Sequence, residues 1–151
     1  MGERDPVLVA NTKEWLDRAR EDLETAAFSL TAERPFVRSA LFHCQQAVEK
    51  AMKALLTWHD LPFRKTHSLV ELGDGCAAAD ATLASQVDEV VILSKYATRF
   101  RYPGAPYDPT AEEAKVALRL ARSFLEAALG CFPAEVVSGA GLKPTPRGYP
   151  A

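Results

Sequence analysis

Several kinds of chemistry are excluded by what this 151-residue sequence lacks. Its three cysteines, Cys44, Cys76 and Cys131, are odd in number and widely spaced, and its three histidines, His43, His59 and His67, do not cluster with them. Neither a disulfide framework nor a set of metal ligands fits that spacing, so no metal or cofactor is expected, and the thiols read as reduced and buried. A serine or cysteine nucleophile has no elbow motif around it. The one tight glycine pair, Gly73-Asp74-Gly75, follows a helical pattern and not a strand, which argues against a phosphate-cradling loop. Neither sign of charge dominates: 18 basic and 20 acidic side chains give a formal net charge of -2. Attraction to nucleic acid must therefore come from a local patch. No apolar run is long enough to span a bilayer, and the opening Met-Gly-Glu-Arg-Asp-Pro carries none at all. A cytoplasmic protein without a membrane anchor is the expectation. Strand-like alternation and fixed-period repeats are missing too.

What is present is helical periodicity. From Pro35 to His59 the apolar positions Val37, Leu41, Cys44, Val48, Met52 and Leu55 recur at helical spacing. Beside them runs a row of small residues, Ala40, Ala47, Ala51 and Ala54, ending at Trp58. So wide a stripe predicts a long central helix packed on more than one side. An earlier helix over about residues 12–31 follows from Leu16, Ala19, Leu23, Ala26 and Leu30, with Asn11 and Glu14 as its capping pair. A short helix capped by Thr66 is expected, with Leu69, Val70 and Leu72 inward and Gly73 and Gly75 ending or weakening it. A fourth helix is expected from about Thr82 to Phe100 or Arg101, where Pro103 stops it. Thr110 with Glu113 starts the last helix, and Gly130 and Pro133 end it. The fold class is all-α: an up-and-down bundle of about four long helices plus a short one. Residues 1–11 read as a flexible arm, 12–132 as the bundle, and the Gly- and Pro-rich 133–151 as a disordered tail.

The run Ala40-Leu41-Phe42-His43-Cys44-Gln45-Gln46-Ala47-Val48-Glu49-Lys50-Ala51-Met52-Lys53-Ala54-Leu55-Leu56 resembles the central helix of HEPN domains. Thr66-His67-Ser68-Leu69, then Leu93, Tyr96 and Arg101-Tyr102-Pro103, resemble later parts of the same family, in order and at fitting distances. The resemblance implies a helical bundle that commonly homodimerises. It also implies pairing with a minimal nucleotidyltransferase, often in a toxin–antitoxin system. Some members bind nucleotides, and others are metal-independent ribonucleases. The ribonuclease branch carries an Arg followed four to six residues later by a His, acting across the dimer. Here Arg99 and Arg101 stand in that region, and no His follows either one. An Arg stabilises charge but cannot serve as general base near neutral pH, so this departure argues against nuclease activity.

Two groups of residues remain as candidate sites. Lys95, Tyr96, Arg99, Arg101 and Tyr102, with Tyr107, combine cations and rings that could hold a phosphate and stack a base of a nucleotide or RNA. The plain alternative is a loop locked onto the bundle by the same side chains. Arg38 and His43 have the ribonuclease spacing but share one helix; five positions at about 100° each set them roughly 140° apart, so one chain cannot close a site from them. They would have to act across a homodimer. The polar face Gln46, Lys50 and Lys53 reads as solvated, with Glu49–Lys53 as an i,i+4 ion pair; contact with a dimer partner or nucleotide comes second. The leading expectation is a dimeric, non-catalytic module that binds nucleotide or RNA, works with a nucleotidyltransferase, or does both. The alternative is a divergent ribonuclease toxin.

Overall fold

The computed structural model describes residues 4–137 and contains, among these, only helices, turns and loops. In chain order the helices are α1 (Pro6–Ser29), α2 (Val37–Trp58), α3 (Leu69–Ala79), α4 (Ala84–Val90), α5 (Ala111–Leu129) and a single turn, α6 (Ala134–Val137). Two 3₁₀ segments, Ala81–Leu83 and Val91–Ala97, flank α4.

Helix α1 starts earlier than expected. Asp5 accepts a hydrogen bond from the Val7 N–H at 2.9 Å, and Pro6 occupies the first turn. A cap acceptor followed by proline is the stronger start signal, and it overrides the Asn11–Glu14 pair. Residues 6–11 are thus helical. Thr12 is fully buried, and its hydroxyl donates to the Leu8 carbonyl at 2.8 Å. Arg4 lies over the Trp58 ring at 3.9 Å and donates to the Trp58 carbonyl, which ties the chain before α1 to the end of α2.

Helices α1 and α2 form an antiparallel pair. The Phe36 N–H donates to the Ser29 carbonyl at 2.9 Å and closes the turn between them. Ala19, Ala26, Ala40, Ala47, Ala51 and Ala54 are all fully buried. With no side chain beyond Cβ on these rows, neighbouring helix axes can approach toward the short end of the usual 8–10 Å range. The larger core residues, among them Leu16, Leu41, Met52, Leu55, Leu118 and Phe124, fill the space around that seam.

The third and fourth helices depart from the sequence reading. Ser68, not Thr66, caps α3, accepting from the Glu71 N–H at 3.3 Å. Val70 is exposed, and Gly73 and Gly75 lie inside the helix. Packing favours Gly73: a Cβ there would meet Val87 Cγ1 at 2.5 Å, so Val87 would have to shift. The expected long fourth helix is broken. Val90, Val91 and Ile92 are consecutive β-branched residues, which crowd the preceding turn of an α-helix. The chain tightens there into 3₁₀ geometry, and the Ser94 hydroxyl accepts from the Leu69 N–H at 3.1 Å, satisfying a free donor of the α3 first turn. Within the expected tail, residues 134–137 form α6 with Val136 buried; the remainder, 138–151, lies outside the described residues.

Candidate functional site

Three polar assemblies stand on this scaffold. The first is the corner made by the loop between Ala97 and Ala111. Thr110 caps α5 through the Glu113 N–H at 3.2 Å, which fixes Glu113 in the first turn. The Glu113 Oε1 atom accepts from the hydroxyls of both Tyr96 and Tyr107, each at 2.6 Å. Burial alone would push the Glu113 carboxyl up; the hydrogen bonds from Tyr107 and Tyr96, with Lys95 nearby, bring it below its usual range. Desolvation and the Glu113 contact push the Tyr96 hydroxyl upward. The rings of Tyr96, Phe100 and Tyr107 pack in series at 5.9 and 5.2 Å. One carboxylate and three rings thus pin the loop to the bundle.

On top of that clamp Lys95, Thr98, Arg99 and Tyr102 line a shallow cleft of about 330 Å³, closed by the Pro103–Pro106 turn. Gly104 adopts φ +93°, a conformation that side-chain-bearing residues rarely adopt. Lys95 Nζ sits 5.2 Å from the Tyr96 ring centre, Arg99 stands beside the Tyr107 hydroxyl, and Tyr102 is exposed. Of the five residues singled out from sequence, the cleft gathers Lys95, Arg99 and Tyr102. Tyr96 is buried and braces the corner from beneath, so its ring is closed to a ligand. Arg101 leaves the cleft and lies over the Phe42 ring of α2 at 4.3 Å.

The second assembly is centred on Asp22 of α1. Its Oδ1 pairs with His43 Nδ1 at 2.7 Å and its Oδ2 accepts from Lys50 Nζ at 2.5 Å. Asp22 is buried, whereas His43 keeps partial access to solvent. The His43 ring meets the Phe42 ring edge-on at 5.3 Å, and Phe42 is the ring that carries Arg101. Arg38 turns elsewhere: its guanidinium pairs with Asp108 at 3.3 Å on an exposed surface. Within the chain the Arg38–His43 spacing brings no site together, whereas Arg101 and His43 both contact the Phe42 ring. Asp22 falls on the Ala19–Ala26 row that resembles the family's first helix, where a carboxylate is out of place without partners; the partners themselves leave no signal in the sequence.

The third assembly corrects part of the reading of the central-helix polar face: the Glu49–Lys53 i,i+4 pair forms as expected but out of solvent, whereas Gln46 and Lys50 stay half-buried. Gln45, Glu49 and Lys53 are buried. Glu49 accepts from Gln45 at 3.1 Å and from Lys53 at 3.2 Å, and it pairs with His67 Nδ1 at 2.9 Å. Lys53 Nζ lies 5.5 Å from the Trp15 ring centre and 5.8 Å from that of Phe63. This network ties the loop before α3 to the middle of α2. No group of three His, Cys, Asp or Glu side chains placed to hold a metal occurs among the described residues, and none of their helices is long and apolar enough to cross a membrane.

Comparison with known proteins matches the HEPN domain family model to residues 12–131. The chain belongs to the HEPN family. A solved archaeal HEPN homologue superposes with a TM-score of 0.62 at 27% identity, covering 80% of this chain and 96% of that one. No curated protein sequence matches. The HEPN match runs from within α1 to the end of α5, so it contains all three polar assemblies. HEPN domains commonly dimerise, and the family is often tied to nucleotide or RNA chemistry.

Proposed function

We propose that this HEPN chain is a homodimeric, cytoplasmic binding module. It holds the phosphate of a nucleotide or RNA in the cleft of Lys95, Arg99 and Tyr102, and it partners a minimal nucleotidyltransferase in a toxin–antitoxin type system. The observation that carries the reading is that cleft: two cations and one exposed ring converge on about 330 Å³ of open space, while Glu113 fixes the loop beneath them. Cations supply charge-assisted hydrogen bonds to phosphate and the ring a stacking face. The partner and the dimer rest on the family alone. The test is a titration of purified protein with ATP and with single-stranded RNA, beside light scattering and co-purification with a nucleotidyltransferase. Lys95→Ala/Arg99→Ala should lower affinity about tenfold or more without lowering Tm. A wild-type chain that binds neither ligand nor partner and stays monomeric would end the proposal.

One observation favours a second reading, a divergent metal-independent ribonuclease. The two ring contacts at Phe42 hold the Arg101 guanidinium within about 10 Å of the His43 ring, near enough for one phosphodiester to touch both. Asp22 at Nδ1 would orient the imidazole and leave Nε2 as base toward a ribose 2′-hydroxyl, with Arg101 facing the phosphate charge. This reading requires RNA cleavage in excess chelator, lost in both His43→Ala and Arg101→Ala. Intact RNA at high protein concentration removes it.

A further inference from the structure

We propose that the turn between α1 and α2 carries a second subsite, and that the ligand is therefore a single-stranded polynucleotide rather than a mononucleotide. The inference rests on the phosphate-binding reading of the first cleft and extends it.

Arg34, Phe36, Arg38, Ser39 and Asp108 line a separate cleft of about 580 Å³ at this turn. Phe36 is 64% exposed. It stands at the N-cap of α2, where it makes no side-chain capping bond. A ring so placed adds little to the core and presents a face for stacking. Arg34 and Arg38 flank it, both exposed. Arg38 pairs with Asp108 at 3.3 Å, an ion pair with both side chains mostly in water, so its hold is weak and a phosphate can replace the carboxylate. Two cations against one anion leave the cleft net positive.

The two clefts adjoin. Pro106 lines the first and Asp108 the second, and two residues of backbone span at most about 7 Å. Arg101 bridges the same ground. It lies over Phe42, which is four residues and about one helical turn beyond Arg38 on the same face of α2. The surface therefore alternates ring and cation: Tyr102 with Lys95 and Arg99, then Arg101, then Phe36 with Arg34 and Arg38. Exposed rings need unstacked bases, and cations at intervals need a continuous phosphate backbone. A flexible single strand supplies both; a duplex hides its base faces, and one mononucleotide has a single base for the two exposed rings, Tyr102 and Phe36.

The experiment is fluorescence anisotropy with labelled single-stranded oligoribonucleotides of two and of twelve nucleotides. Wild-type protein is compared with Arg34→Glu/Arg38→Glu, Phe36→Ala and Lys95→Glu/Arg99→Glu. All these side chains are surface-accessible, and a thermal melt checks that each variant folds. The twelve-mer should bind at least tenfold more tightly than the two-mer. Arg34→Glu/Arg38→Glu should remove that advantage while leaving the two-mer affinity within about twofold. It should also flatten the slope of log K against log salt by about 1.4, the value for two single-strand phosphate contacts. Phe36→Ala should weaken the twelve-mer severalfold at unchanged salt slope. Equal affinity for both lengths, or an unaffected Arg34→Glu/Arg38→Glu variant, overturns the second subsite; the first cleft survives if Lys95→Glu/Arg99→Glu still abolishes two-mer binding. No binding of either oligonucleotide overturns both readings. If Arg34→Glu/Arg38→Glu instead splits a dimer at unchanged twelve-mer affinity, the face is a contact between copies and the inference fails.

Discussion

Replacing Glu49 with Ala tests whether the central-helix signature serves the fold or a ligand. Glu49 is 3% exposed and is bonded to Gln45, Lys53 and His67. Removing one partner of a buried ion pair costs about 3–5 kcal/mol, because the other charge stays buried and unpaired. Part of that loss is offset, since Lys53 also faces the rings of Trp15 and Phe63, each contact worth about 0.5–1 kcal/mol. The net expectation is a loss of about 3 kcal/mol, or roughly 6–12 °C in Tm for a chain of this size. The control is Glu71→Ala, which breaks the exposed Arg64–Glu71 pair and should move Tm far less than Glu49→Ala. Urea unfolding followed by tryptophan fluorescence measures both, with an unchanged m-value as the check on two-state behaviour. The double variant Glu49→Leu/Lys53→Met should regain at least half of the single-variant loss, since apolar replacement of both ions leaves no stranded charge. The reasoning is wrong if Glu49→Ala is as mild as Glu71→Ala while ligand affinity falls more than tenfold. That result would return the polar face to solvent and to a partner.

Other perturbations have equally definite outcomes. Gly73→Ala gains about 1 kcal/mol of helix propensity, yet its Cβ would sit 2.5 Å from Val87 Cγ1, and such overpacking costs about 1–3 kcal/mol. The variant should be destabilised or at best neutral, whereas Gly75→Ala, which meets only the end of Leu56 at 3.0 Å, should be milder; a clear rise in Tm for Gly73→Ala refutes the contact. Asp5→Ala should cost about 1 kcal/mol by uncapping α1, a loss absent if residues 5–11 are a loose arm. Burial pushes the Cys76 thiol up to about 12 from 9.0, and Cys44 is raised as well. Their folded state holds the proton more tightly, so this stability is complete below about pH 9 and falls as pH rises toward 12; both thiols should resist alkylation at pH 8 until urea is added. Glu113 titrates below its ordinary range, so its contribution is complete above that range and is lost as pH falls through the lowered value; Glu113→Gln should flatten the acid limb of a pH–Tm curve.

The helices with unbroken apolar periodicity were legible in the sequence. For α2 and α5, period, length and stop signals all agreed, and both form where expected. The errors fell where two local signals competed. At the start of α1, Asn11 and Glu14 looked like a cap, but Asp5-Pro6 wins, because the residues between carry Thr12 into the core. In α3 the two glycines read as stops, although tertiary contact with Val87 is what favours Gly73. The β-branched run Val90-Val91-Ile92 kept helical apolar spacing while weakening α-helix, and spacing alone cannot separate an α-helix from a 3₁₀ segment.

The candidate site was legible in its cations and rings and hidden in its carboxylates. Lys95, Arg99 and Tyr102 are conspicuous because they sit beside a proline-rich loop. Glu49 reads as half of an i,i+4 ion pair and Glu113 as a capping residue, and the burial and distant partners of these two and of Asp22 are not visible in the sequence. Asp22 and Glu113 each accept two hydrogen bonds from side chains elsewhere in the chain, and Glu49 adds the distant His67 to Gln45 and Lys53 of its own helix. The asymmetry has a physical cause. A carboxylate taken out of water must collect donors, and those such as His43, Lys50, His67, Tyr96 and Tyr107 come from whichever segment lies opposite, so their spacing along the chain has no period. An Arg or Lys on the surface needs no such company and announces itself by composition. The same logic bears on the missing Arg-x₄₋₆-His motif. A base and a phosphate-binding cation must meet in space, not in sequence, and here Asp22 pairs with His43 on α2 while Arg101 lies over the adjacent Phe42 ring. Asp22→Asn therefore separates the two proposed functions. If His43 only packs, the variant loses stability and its ligand affinity is unchanged. If His43 takes a proton, the pH profile of RNA cleavage moves to a different apparent pKa while the affinity for RNA stays put.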